Sequence, residues 1–172
     1  MSTNEIQALY DLIDENAIAM MTTRRSDGHL RGRAMANQKV VPGADLWFVT
    51  ADGTAKVRDI EHDPHVNVTY LNQKTMEWVS VSGIATLSRD RATIAALYAP
   101  DWKMWFNEGD DPRNGTPDDP RIVLIGVTVH GAEFLDVNQP RPVVLFELVK
   151  GWLTSEEPEI GEMHAVKDAH RP

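Results

Sequence analysis

Apolar residues recur along the chain at two spacings, three or four apart in short stretches and every second position in longer ones. The second spacing dominates. Ile6, Leu9, Tyr10 and Ile13 lie at helical spacing behind Ser2 and Glu5, which are spaced as a capping box, so a short amphipathic helix opens the chain. Strand-like runs follow at 17–24, 30–41, 46–50, 66–71 and 78–87, with tight turns at Ser26-Asp27-Gly28 and Pro42-Gly43. In the fifth run Val79 and Val81 alternate with Ser80 and Ser82, giving one apolar and one small polar face. Helices are predicted from Thr54 to about His62, where Pro64 stops the pattern, and over 88–98 with Ile94, Leu97 and Tyr98 as the buried side. Trp102, Trp105 and Phe106 share one side of a short helical turn that leads into a polar, proline-rich loop. Runs 122–129 and 132–137 form a β pair around Gly131, and 143–153 reads as a last strand. Residues 155–172 lack apolar periodicity and are expected to be loose. The pattern predicts a mainly β, antiparallel barrel with peripheral helices, one domain over 1–154 and a tail over 155–172.

One stretch, LWFVTADGTAKVR from Leu46 to Arg58, reads as strand, turn at Gly53 and helix. Such a junction gathers unpaired backbone N–H groups and the positive end of a helix dipole at one spot, which suits an anion. Lys56 adds a charge there and Thr54 a hydroxyl, while Arg33 lies in a strand that could run alongside. An N-capped surface helix with a solvated lysine has the same pattern. In the strand carrying Arg33, the residues Arg31, Arg33, Met35 and Asn37 share a face, and Gly32, Ala34 and Ala36 form a small opposite one. That face could admit a flat group or pack tightly inside a barrel.

Composition narrows the classes further. At 172 residues, 42% of them apolar and 25% charged, the chain is long enough for a full core and is not of disordered composition. The absence of cysteine excludes disulfides, thiolate metal sites and thiol nucleophiles. A net charge of -9 with no basic block disfavours nucleic acid and anionic lipid. No run has transmembrane length and the polar N-terminal stretch is unlike a signal peptide, so a cytoplasmic location is expected. Neither a P-loop nor GxGxxG occurs, no serine sits in a GxSxG elbow, and His62 and His65 straddle Pro64, so no metal site is expected. No catalytic acid or base can be picked out.

The segments GRAMANQ, LWFVTADGTAKVRDIEHDPHVNVTY, WVSVSGIATLSRDR and KMWF with its acidic Gly-Asp-Asp-Pro loop carry a resemblance over about residues 6–137. In order and spacing they resemble the pyridoxamine 5'-phosphate oxidase-like flavin-binding split barrels, and within them the bacterial general stress protein branch. The resemblance implies a homodimer that binds FMN, or FAD, in a cleft between subunits. It implies that Arg33 and Lys56, helped by Thr54, hold the phosphate. Ala34, Met35, Ala36, Asn37 and Gln38 would run beneath the ring, with Val49 and Thr50 on the next strand. Trp78 would stand at a flavin-contact position, and the region of Trp105 and Phe106 would cover the ring from the partner subunit. Leu135 departs from the pattern, where the family often has an aromatic residue. The resemblance implies a flavin-dependent oxidoreductase or, alternatively, a protein that sequesters flavin without turnover. It does not extend to pyridoxamine phosphate oxidase activity. Gln38 replaces a lysine, Asp101 and Trp102 replace a Ser and an Arg, and NQPRPVVLFELVKGW has no Arg-x-His.

Overall fold

The computed structural model describes residues 3–137, 150 and 161–172. Ser2 of the expected capping box and, apart from Lys150, the expected strand 143–153 lie outside them. Helix α1 is Thr3–Asp14, and strands β1 (Ile18–Arg24) and β2 (Leu30–Ala36) form the first hairpin. β3 is Leu46–Ala51 and α2 is Ala55–His62; β4 (His65–Leu71) and β5 (Trp78–Ser88) then pair antiparallel. α3 (Arg91–Leu97) and a 3-10 turn at Pro100–Met104 precede β6 (Ile122–Asp136) and β7 (Glu162–Lys167).

All seven described strands join one antiparallel sheet in the order β2-β1-β4-β5-β6-β3, with β7 also on β6. The sheet curls toward a barrel but does not close. Its two ends, β2 and β3, share no ladder. They are joined where Gln38 N–H donates to the Trp47 carbonyl at 2.9 Å.

Four expectations need correction. β2 ends at Ala36 rather than at residue 41 because its partner β1 begins at Ile18 and the backbone of Gln38 already bonds Trp47 of β3. The Asn37 side-chain amide donates to the Asn16 carbonyl at 2.9 Å, and its backbone N–H donates to Ala17. The helix expected from Ser88 starts at Arg91, since β5 runs to Ser88 and Asp90 caps α3 by accepting from Thr93 N–H at 2.8 Å. The chain does not turn at Gly131: β6 is one 15-residue strand, interrupted only by a bulge. Ser82 pairs with Gly131 and Gly83 with Val129, so His130 is the extra residue. A Cβ on Gly83 would lie 2.5 Å from the Thr128 carbonyl oxygen, so the bulge needs glycine there.

Finally, the segment from Gly161 onward is packed rather than loose. β7 pairs with β6 along its length, Ala169 is fully buried, and its carbonyl accepts from Tyr10 OH at 2.6 Å. Asp45 then takes the Arg171 N–H at 2.8 Å, while the Arg171 guanidinium pairs with Asp14 at 2.7 Å and lies over the Tyr10 ring.

β1, β4 and β5 bury alternate residues, whereas β3 and the first half of β6 are buried almost continuously. Leu9, Tyr10 and Ile13 of α1 pack on Phe48, Val68, Val81, Val129 and Phe134 inside the sheet. A second cluster gathers Trp47, Ile94, Leu97, Trp102, Phe106, Ile122 and Leu124. The other side of the sheet is open and unusually apolar at one end. Ala36 lies opposite Ile18, and Leu71, Trp78, Leu135 and Met163 stand opposite one another in sequence. The β1–β4 ladder brings Ile18 and Leu71 to the same end. Ile18, Leu71 and Met163 are more than half exposed.

Candidate functional site

The unclosed edge between β2 and β3 opens onto a cavity of about 380 Å³, lined by Ala34 to Ala36, Val49 to Ala51, Thr54, Lys56, Ile18, Trp105 and Phe106. That volume lies within the range of roughly 300–1,000 Å³ common for small-molecule sites. β2 supplies a floor with almost no side-chain relief, because Ala34 and Ala36 face outward while Met35 enters the core. The 3-10 turn supplies the opposite wall. Trp102 is buried and donates its indole N–H to Gln38 Oε1 at 2.8 Å, which leaves Trp105 in the turn's wake, 77% exposed.

At one end of the cavity the chain passes from β3 into α2 through Gly53, whose φ of +72° is readily available only to glycine. Thr54 stands at the N-cap without making a side-chain cap bond, so the first-turn N–H groups have no side-chain partner at the cap. Its hydroxyl lies 3.4 Å from that of Thr50. The Lys56 ammonium donates to Thr50 Oγ1 at 2.9 Å, and no carboxylate pairs with it among the described residues. Burial, then the neighbouring Arg33 charge, lowers the Lys56 pKa. Burial also lowers that of Arg33, opposed by Asp59. Two cations thus face each other's field at a partly desolvated helix N-terminus. An anion there would relieve the repulsion and take up the free donors.

Arg33 itself points inward. Its guanidinium donates to the Met21 carbonyl at 3.2 Å and to Asp59 Oδ2 at 3.4 Å, and its side chain is 18% exposed. The same carboxylate accepts from Thr23 Oγ1 at 2.8 Å and has Arg31 at 3.6 Å. Of the residues expected at the site, Ala34, Met35, Ala36, Val49, Thr50, Thr54 and Lys56 line one cavity, and Arg33 stands behind its charged end; Trp105 and Phe106, expected to reach the ring from the partner subunit, line the cavity of their own chain instead. Asn37 and Gln38 do not line it. Asn37 is bound to the end of α1 and to Tyr70 OH, and Gln38 to Trp102 and Trp47. Trp78 does not line it either; it sits on the open face between Leu71 and Leu135. Sequence reasoning missed Ile18, Ala51 and Asp59. Ile18 enters through its pairing with Ala36, which no local pattern carries, whereas Asp59 had a signal, an acid among the buried residues Val57 and Ile60 of α2.

No lining residue other than Lys56 is titratable, so the cavity offers anion binding and a flat slot but no acid–base pair. Among the described residues no group of three His, Asp or Glu side chains could hold a metal, and no helix is long and apolar enough to cross a membrane.

Comparison with known proteins gives the family and the fold. The family model for pyridoxamine 5'-phosphate oxidase like proteins matches residues 4–159. The chain is 31% identical over 167 residues to Protein bli-3 of Neurospora crassa, covering 95% of this chain and 80% of that one. Among solved structures it is similar to one described as general stress protein 26 from Jannaschia sp. CCS1, with TM-score 0.71, 23% identity, and 96% and 99% of the two chains covered. A pyridoxamine 5'-phosphate oxidase-related, FMN binding protein from Nostoc punctiforme PCC 73102 matches with TM-score 0.64 and 14% identity over 97% and 98%. These two structures share the fold, including its antiparallel sheet with few helices.

Proposed function

Because this chain belongs to the pyridoxamine 5'-phosphate oxidase like family, we propose that it binds FMN in the β2–β3 cavity and acts as a flavin-dependent oxidoreductase. The observation that carries the reading is Lys56, a half-buried cation without an acid partner among the described residues, at the end of a slot floored by Ala34 and Ala36. FMN needs a phosphate anchor, a flat slot and donors for its polar edge, and once bound it supplies the redox chemistry. Lys56, the α2 N-terminus and Thr54 take the phosphate, with Arg33 behind them. The small β2 face takes the ring, and Trp105 lies across the opening.

The working unit is a homodimer. Ile18 belongs both to the cavity wall and to the exposed apolar face that continues through Leu71, Trp78, Leu135 and Met163. Leaving such a face in water is unfavourable, and a second copy covering it would sit beside the cavity mouth. Trp78 and Leu135 then meet the flavin of the partner subunit, not their own.

The test is the absorption spectrum of freshly purified protein, followed by release of the cofactor and titration of the emptied protein with FMN. Bound flavin, reduced by NADH or NADPH and reoxidised by an acceptor over many turnovers, is the expected result. Flavin binding without turnover would move the reading to sequestration. Absence of flavin affinity would end it.

A further inference from the structure

Among the described residues Asp59 is the carboxylate that reaches Arg33, and helix packing does not account for it. It lies among the buried residues of α2 beside Val57 and Ile60, with its side chain 9% exposed. A carboxylate in such a place carries a desolvation cost unless several donors meet it. Three do, from three positions on the first hairpin. Thr23 donates at 2.8 Å, Arg33 at 3.4 Å, and Arg31 stands at 3.6 Å. The Thr23 bond fixes the carboxylate, and the carboxylate together with the Met21 carbonyl fixes one edge of the Arg33 guanidinium. No other acceptor among the described residues takes the remaining N–H groups of Arg33, and Lys56, one helical turn before Asp59, feels the Arg33 charge. Arg33 is therefore held along one edge by Asp59 and the Met21 carbonyl, near enough to Lys56 for its charge to be felt there.

We propose that Asp59 is a positioning residue for phosphate recognition: its buried carboxylate holds the Arg33 guanidinium so that the free edge is presented to a phosphate monoester bound beside Lys56. The inference rests on the reading of the cavity as an FMN site. The charge count agrees with a dianion, since Arg31, Arg33 and Lys56 against Asp59 leave two positive charges.

The sign of one substitution separates positioning from simple electrostatics. Asp59→Asn removes a negative charge near the anion, so electrostatic potential alone would tighten FMN binding. Positioning requires the opposite, because Arg33 loses its charged anchor. FMN and riboflavin, which lacks the phosphate, are titrated into wild type, Asp59→Asn and Asp59→Glu while flavin fluorescence is followed. Asp59→Glu keeps the charge and displaces it by one methylene, which also serves if Asp59→Asn fails to fold. We expect FMN affinity to fall about tenfold in both variants and riboflavin affinity to stay within about twofold. Tighter or unchanged FMN binding overturns the proposal, and so does an equal loss for both ligands, which would mark a purely structural role. A wild type that does not favour FMN over riboflavin would overturn the phosphate site itself; a preference retained in both variants would overturn only the part assigned to Asp59.

Discussion

Replacing Lys56 by Met should separate binding from stability in opposite directions. In the folded protein this ammonium has one neutral partner, Thr50 Oγ1 at 2.9 Å, and its pKa is lowered by burial and by Arg33. The folded state thus holds a charge under less favourable conditions than the unfolded chain does, and Met keeps most of the volume while removing that charge. Stability at pH 7 should not fall. With FMN the balance reverses, because the variant loses a charge-assisted hydrogen bond of about 1.5–3 kcal/mol, which corresponds to roughly a 10- to 100-fold weaker affinity. Part of the loss should be salt-dependent, since the cavity is open to solvent and the contact is ionic. The assay pairs a urea unfolding curve of the cofactor-free protein with titrations of FMN and riboflavin at low and high salt. FMN affinity within twofold of wild type would refute the anchor. A lower unfolding midpoint would show that Lys56 serves the fold instead.

Leu71→Arg places a charge in the exposed apolar face without touching the cavity lining, so sedimentation at micromolar concentration should show a dimer for wild type and a monomer for the variant; a monomeric wild type would refute the proposed pairing. Asp119 is fully buried, and although burial would raise its pKa, Arg121 and the Gly115 and Arg121 amides hold it at about 2. Its folded pKa lies below the ordinary value near 3.9, so its contribution is complete above that pH and disappears as pH falls toward 2. On this shift Asp119→Asn should cost about 2.5 kcal/mol at pH 7 and about half that near pH 3, checked by urea unfolding at both pH values. Pyridoxamine phosphate supplied with FMN and oxygen should give no pyridoxal phosphate, because Gln38 is engaged with Trp102 and Trp102 itself is buried; turnover near one per second would show a second phosphate site elsewhere.

Much of this architecture was legible where the information is local. The strand–turn–helix at 46–58 needed only Gly53 and the change of apolar period, and it located Lys56 and Thr54 at the cavity. The small face of β2 was equally plain, but whether it faced core or solvent depended on the direction of Arg31, Arg33 and Met35, which the alternation alone does not give. Asn37 and Gln38 were misplaced because their side chains are engaged by residues from α1, β4 and the 3-10 turn, contacts that exist only once the sheet has formed. Gly131 read as a turn because glycine marks turns and bulges alike, and only the register opposite Ser82 and Gly83 distinguishes them. β7 escaped because Glu162–Lys167 has no alternating pattern of its own; it is ordered by the β6 edge it joins.

The packing of residues 161–172 has a consequence for biosynthesis. Tyr10 in the first helix bonds the carbonyl of a residue 159 positions later, and Asp45 waits for the backbone of Arg171. Those partners are synthesised long after Tyr10 and Asp45. Until they emerge, the β6 edge that takes β7 stays open and the hydroxyl of Tyr10 lacks its acceptor, so the nascent chain holds an incomplete sheet through most of its synthesis. Consolidation should then wait until Arg171 has emerged, and a ribosome stalled before that point should hold a chain that proteases still cut.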